Sequence, residues 1–139
     1  MKFLLTFLFL IQFINLYAQV DTSYKFTNLD AVEFYIKLNS VTDKIIMDVR
    51  EYKEFRKERI PGAISVSNKQ LFNKIKDTLD KEIPFFLYCD DISRSLTVCE
   101  FLHENGILNI FILEDGILGW KEMKLPLDKK KLKKIKAQK

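Results

Sequence analysis

The chain has 139 residues, 47% hydrophobic and 30% charged, enough for one ordinary core and too few for two. Its formal charge of +4 hides a division: residues 19–128 hold 15 Lys+Arg against 19 Asp+Glu, while the tail "KKKLKKIKAQK" at 129–139 holds seven lysines and no acid. A mildly acidic domain whose basic tail carries no aromatic side chain argues against nucleic-acid binding, and no nucleic-acid partner is expected.

Residues 1–18 read as a secretory signal peptide: a positive start at Met1-Lys2, an apolar stretch from Phe3 to Ile11, and "LYA" ending on the small Ala18. The apolar stretch is short for a membrane span, which needs about 20 residues. Phe13, Ile14 and Tyr17 lengthen it, so an uncleaved anchor is the other reading. The expected mature protein is exported, periplasmic or secreted, with a domain over 19–128 and a basic tail over 129–139. The tail reads as a solvated end or as a weak contact with an anionic membrane surface.

"NLDAVEFYIKLN" has apolar residues close to helical spacing, with Asn28 as the expected N-cap. "KIIMDV" at 44–49 is a short apolar run typical of a buried strand. "EYKEFRKE" predicts a short charged helix with Tyr52 and Phe55 facing inward. "RIPGAISV" turns at Pro61-Gly62 into a second strand, and "SNKQLFNKIKDTLD" predicts a helix capped near Ser67 or Asn68. "IPFFLYC" is a third strand, "SRSLTVCEFLHENG" a helix stopped by Gly106, "NIFIL" a fourth strand and "GILGWKEM" a closing helix. Strands that alternate with helices and lack a two-residue rhythm imply an α/β fold, a parallel sheet covered on both faces. In such sheets ligands bind beyond the carboxyl ends of strands, and Cys89 stands at one such end.

A thiol reacts as thiolate, which helix N-termini and nearby cations stabilise. Cys89 precedes a tight loop and a helix beginning near Ser93, so the backbone N–H groups of loop and helix can converge on its sulfur. Arg94 adds fixed positive charge. The competing reading of Cys89 is a small buried hydrophobe. Cys99, between Val98 and Phe101, reads as core. An even cysteine count in an exported chain permits a Cys89–Cys99 disulfide, but a strand end and a helix ten residues on point their side chains apart.

Three stretches together resemble the rhodanese family, in the family's order and across residues 27–127: "DVREYKEFRKERIPGAISV" at 48–66, "YCDDISRS" at 88–95, and "NGILNIFILEDGILGWKEMKLPL" with Gly116, Trp120 and a final Leu-Pro. The resemblance implies a central, mostly parallel five-stranded sheet with helices on both faces. It also implies a cysteine that carries sulfur as a persulfide, taking it from a small donor such as thiosulfate and passing it to a thiol, cyanide or a protein acceptor. Cys89 and Arg94 are then the catalytic residues, and the backbone of Asp90, Asp91, Ile92, Ser93 and Ser95 cradles the sulfur. No cofactor is expected. Cys89 through Arg94 is six residues, the length used for sulfur transfer; phosphatase relatives of the fold use one residue more.

Departures from the family pattern refine this. Glu58-Arg59 stands where Gly-His is usual. Ile92 occupies a position usually held by glycine, and a β-branched residue tolerates positive φ badly, so the loop either takes another path or is strained. Asp90 and Asp91 flank the nucleophile. Each, at about 6 Å, opposes a thiolate or an incoming anion by up to about 2–3 kcal/mol at an effective dielectric of 20, which makes the dianion thiosulfate a doubtful donor. Asp48 and Arg50 can reach the same face as Cys89, but a structural salt bridge is preferred for them. His103 is expected at the surface, Trp120 and Phe111 in the core. One histidine and two distant cysteines make no metal site. The expectation is an exported single-domain sulfurtransferase; the alternative is a non-catalytic module that binds a partner through the same loop.

Overall fold

A computed structural model describes residues 26–67, 72, 73, 76–130 and 132. The expected signal segment and most of the lysine tail lie outside the described residues. Five strands form one all-parallel sheet: β1 (Thr27–Leu29), β2 (Ile45–Asp48), β3 (Ile64–Ser65), β4 (Phe85–Tyr88) and β5 (Ile110–Leu113), in the order β1-β5-β4-β2-β3. Among the described residues the helices α1 (Ala31–Ser40), α2 (Tyr52–Lys57), α3 (Ile92–Glu104) and α4 (Gly116–Glu122) flank it, with a 3-10 turn at Lys76–Thr78.

Alternate residues of each strand point to opposite faces, and the two faces carry separate cores. Phe85, Leu87 and Cys89 pack with Met47, Ile112 and the α3 residues Cys99 and Leu102. Phe86 and Tyr88 pack on the other face with Phe34 and Leu38 of α1 and Ile117 and Trp120 of α4. All four residues of β4 are therefore buried, which is why its sequence shows no alternation. Trp120 meets Phe34 and Tyr35 edge-on with ring centroids 6.2 and 5.7 Å apart, and its indole N–H donates to the Pro126 carbonyl at 2.9 Å.

The structure departs from the expected elements at several points. Asp30, not Asn28, caps α1: its carboxylate accepts from Val32 and Glu33 N–H at 2.8 and 2.9 Å, and Glu33 reaches back to the Asp30 N–H at 3.3 Å. Asn28 is a residue of β1, paired with Ile112. A carboxylate satisfies two of the orphan donors at a helix start, so the cap falls where the acid is. Phe55 is buried as expected, but Tyr52 is 46% exposed and stacks on Phe55 from outside; six residues offer only a narrow inward face. Phe111 is half-buried and stacks on Phe86. The helix expected from Ser67 to Asp80 falls partly outside the described residues; within them Phe72 and Asn73 are helical and Lys76–Thr78 forms the 3-10 turn.

The end of the domain is tied back to its first motif. Arg59 and Asp128 form an antiparallel bridge, with N–H to O distances of 3.0 and 2.8 Å. The buried Arg59 guanidinium donates to Asp128 Oδ2 at 2.6 Å, to the Phe55 carbonyl at 3.2 Å and to the Lys130 carbonyl at 3.1 Å, and lies 5.1 Å from the Phe55 ring. Glu58 pairs with Lys121 and, at 3.8 Å, with Lys129. The Glu58-Arg59 departure thus has a structural role: it fixes where the C-terminal segment leaves the domain.

Candidate active site

Cys89 directly follows β4, the central strand. It is 1% exposed, and its carbonyl accepts the Ile117 N–H at 2.8 Å. That bond brings the start of α4 against the loop. Gly116 makes the approach possible: its φ is +58°, and a Cβ there would fall 2.5 Å from the Asp90 carbonyl oxygen and 2.7 Å from that of Cys89. Only glycine has neither the strain nor the clash. Sequence reasoning noted Gly116 as part of a motif but not this contact; the Asp115-Gly116 pair, a turn signal, was its visible trace.

The backbone amides of Asp90 and Asp91 follow Cys89 in the loop and favour its thiolate. Burial pushes the thiol above its ordinary value, those N–H groups and the Arg94 charge pull it down, and the Asp90 charge pushes it up again. Burial is the largest of these effects.

The aspartates, expected to act as a pair, have different roles. Asp91 is the N-cap of α3: its carboxylate accepts from the Ser93 N–H at 2.8 Å and from the Ser93 hydroxyl, and these bonds hold its carboxyl below the usual range. It stands exposed. Asp90 is half-buried, and its carboxyl is raised first by burial and then by Glu54, while Arg50 and Arg94 pull it down. Asp90 is the aspartate whose charge reaches the sulfur.

Ile92 resolves the question its β-branch raised. The chain takes the other path: α3 begins at Ile92, and the one non-glycine residue with positive φ among the described residues is Lys124. Ser93 N–H is committed to the Asp91 cap, and the amides that favour the Cys89 thiolate are those of Asp90 and Asp91. Ser95 is fully buried and its hydroxyl has no partner among the described residues. Arg94 is exposed on the first turn of α3.

Asp48 and Arg50 form the structural pair that was preferred. Both are buried; Arg50 Nη2 lies 2.5 Å from Asp48 Oδ2, its Nε 3.0 and 3.1 Å from the two carboxylate oxygens, and Nη2 also donates to the Glu58 carbonyl at 2.8 Å. Burial pulls the guanidinium down, but the Asp48 hydrogen bonds and charge prevail and hold it above its ordinary value. Tyr88, the residue before Cys89, completes this network. Its hydroxyl accepts the Ile60 N–H at 3.1 Å, Arg50 lies 5.5 Å from its ring, and burial followed by the Asp48 charge raises its own titration. Sequence reasoning overlooked Tyr88, whose apolar neighbours disguise a hydroxyl that meets the Ile60 N–H, 28 residues earlier in the chain.

Both cysteines are free. Cys99 is buried in the α3-side core, and burial, with Glu100, pushes its thiol up to about 11. His103 is half-buried near the end of α3.

Residues 30–123 match the rhodanese-like domain, and the chain belongs to that family. It is 30% identical over 84 residues to the thiosulfate sulfurtransferase GlpE of Actinobacillus succinogenes, covering 60% of this chain and 75% of that one. Over the same length it is 30% identical to the putative sulfurtransferase YtwF of Bacillus subtilis, covering 60% and 80%. Among solved structures, a rhodanese-related protein from Thermoplasma volcanium superposes with a TM-score of 0.63 at 25% identity, over 75% of this chain and 99% of that one.

Proposed function

We propose that the protein is a rhodanese-type sulfurtransferase that carries sulfane sulfur as a persulfide on Cys89 and passes it to a thiol or other thiophilic acceptor. The observation that carries this reading is a cysteine at the end of the central strand, facing the loop and the first turn of α3, whose thiolate the Asp90 and Asp91 amides and the Arg94 charge favour. Matched relatives named as sulfurtransferases support it. Cys89 loses its proton to solvent, and the thiolate attacks the terminal sulfur of the donor. The S–S bond of the persulfide forms as the donor's bond to that sulfur breaks, its electron pair leaving with the donor remnant. In the second half an acceptor thiolate attacks the outer sulfur and Cys89 leaves as thiolate, ready for another donor. The Asp90 and Asp91 N–H groups stabilise the anionic sulfur, as helix-start and loop amides do for anions. The Asp90 charge makes a dianion such as thiosulfate a poor donor.

A raised thiol on a Cys89 that is 1% exposed favours a second reading, a domain that binds a partner through this loop without turnover. Intact-mass measurement after exposure to several sulfur donors separates the two. A stable gain of one sulfur, absent in Cys89→Ser, is the expected result; no gain with any donor leaves the binding module. We further propose export, on the pattern of residues 1–18: N-terminal sequencing of protein from its native host is expected to begin near Gln19, and an intact Met1-Lys2 start would mean an anchor instead.

A further inference from the structure

The strands of the parallel sheet all finish on one edge, and acids stand exposed there: Asp30 after β1, Glu51 after β2, Asp91 after β4, and Glu114 and Asp115 after β5. Cys89 lies on this edge. α4 starts against the Cys89 loop through Ile117, and its helical rise carries the chain about 10 Å onward. At its far end is a cleft of about 430 Å³ lined by Lys121, Lys124, Lys129, Glu58, Leu125 and Leu127. Glu58 pairs with Lys121 and, at 3.8 Å, with Lys129, so one carboxylate answers two cations. Lys124 is exposed and meets no carboxylate among the described residues. Met123, its neighbour in the chain, is 53% exposed.

The tail continues this lysine surface. Arg59 holds Asp128 Oδ2 at 2.6 Å and the Lys130 carbonyl at 3.1 Å, so the chain leaves the domain beside the cleft. Residues 131–139 add five lysines, with Leu132 and Ile135 among them. Lysines interspersed with apolar side chains fit anionic headgroups over acyl chains. A nucleic acid would answer the lysines alone, and the tail has no aromatic side chain to stack on bases.

We propose that the lysine cleft and the tail together dock on an anionic lipid surface, with the acid-bearing edge and Cys89 turned to the aqueous side. An anionic surface attracts one end of the domain and repels the other, so the same charges that attach it also orient it. Docking of this kind does not depend on sulfur transfer at Cys89.

The test uses protein purified from its native host, with vesicles of phosphatidylcholine alone or of equal parts phosphatidylcholine and phosphatidylglycerol. Sedimentation reads the bound fraction. Binding is expected to favour the anionic vesicles by about tenfold or more at low salt, and to lose that preference as salt rises. Each lysine at an anionic leaflet multiplies binding by about fivefold, so Lys124→Asn with Lys129→Gln is expected to cut the preference by about tenfold or more. Asparagine tolerates the positive φ of Lys124. An unchanged preference in this variant overturns the cleft and leaves the tail alone as the contact. Equal binding to both vesicles overturns the lipid surface, and binding to heparin or DNA would then mark a polyanion as the partner. Orientation is read from two single-cysteine chains, Met123→Cys and Glu114→Cys, each in a Cys89→Ser, Cys99→Ala background. Anionic vesicles are expected to slow alkylation of the first by a neutral polyethylene-glycol maleimide severalfold and to leave the second unchanged. Equal slowing, or slowing at position 114 alone, overturns the orientation. Where residues 1–18 hold the chain on both vesicle types, the same two rates decide: protection at position 123 that requires anionic lipid supports docking, and its absence overturns it.

Discussion

Replacing Asp90 and Asp91 separately by asparagine distinguishes charge at the sulfur from capping of the helix. Asp90 adjoins Cys89, and its charge opposes the thiolate. For side chains about 6 Å apart the Coulomb energy is about 0.7 kcal/mol in water and about 2.8 kcal/mol at an effective dielectric of 20. Asp90 is half-buried, so the effect belongs between these limits. Asp90→Asn is therefore expected to lower the Cys89 pKa and to raise thiosulfate turnover below the wild-type pKa. Asp91→Asn keeps an N-cap of equal quality and is expected to leave the Cys89 pKa where it was. The assay is the rate of Cys89 alkylation by iodoacetamide against pH, in a Cys99→Ala background, with thiosulfate:cyanide turnover measured in parallel. Iodoacetamide is neutral, so its rate follows thiolate fraction alone. Because the folded thiol is raised, the rate climbs on the alkaline side, and the Asp90→Asn curve lies at lower pH. Raising the salt should shrink the difference, since charges facing solvent are screened over about 8 Å at physiological ionic strength. Equal shifts from the two variants, or none from Asp90→Asn, would refute the division of roles.

Gly116→Ala places a methyl group against the Cys89 and Asp90 carbonyls at positive φ; it is expected to lower stability by about 1–3 kcal/mol and to reduce sulfur loading of Cys89, measured by thermal melt and intact mass. Arg50→Met leaves Asp48 buried without its partner, with an expected loss of about 3–5 kcal/mol in urea unfolding. A loss under 1 kcal/mol would mean that Asp48 is satisfied without the guanidinium, the main-chain N–H of residue 50 at 2.9 Å being its remaining donor. Cys99→Ala removes a small buried group, costing on the order of 1 kcal/mol, with sulfur transfer near normal. A large loss of transfer at unchanged stability would make Cys99 a resolving thiol. Linkage adds a check on Cys89: its folded thiol titrates above the unfolded one, so the stability it contributes is complete below the unfolded pKa and is lost as pH rises through the folded pKa. Cys89→Ser in the Cys99→Ala background should flatten that alkaline loss.

Much of the sheet was legible because buried parallel strands and their neighbouring helices leave strong local signals. "KIIMDV" and "IPFFLYC" are apolar runs because both faces of β2 and β4 are covered, and the same run puts Cys89 at a strand end. Gly106 and Trp120 were readable for similar reasons: one stops a helix, the other is too apolar to leave in water. Tertiary structure decided what depends on residues distant in the chain. The three-residue β1 has no pattern of its own and exists through its ladder with β5. Arg59 looked like a departure from a motif until Asp128, 69 residues away, supplied its partner. Asp90 and Asp91 are identical in type and adjacent in sequence. The start of α3 at Ile92 makes one of them a cap, while burial beside Glu54 and Arg50 makes the other a charge on the sulfur site. That distinction is long-range, because it depends on which elements the folded chain brings against each carboxylate, and composition and spacing carry no record of those contacts.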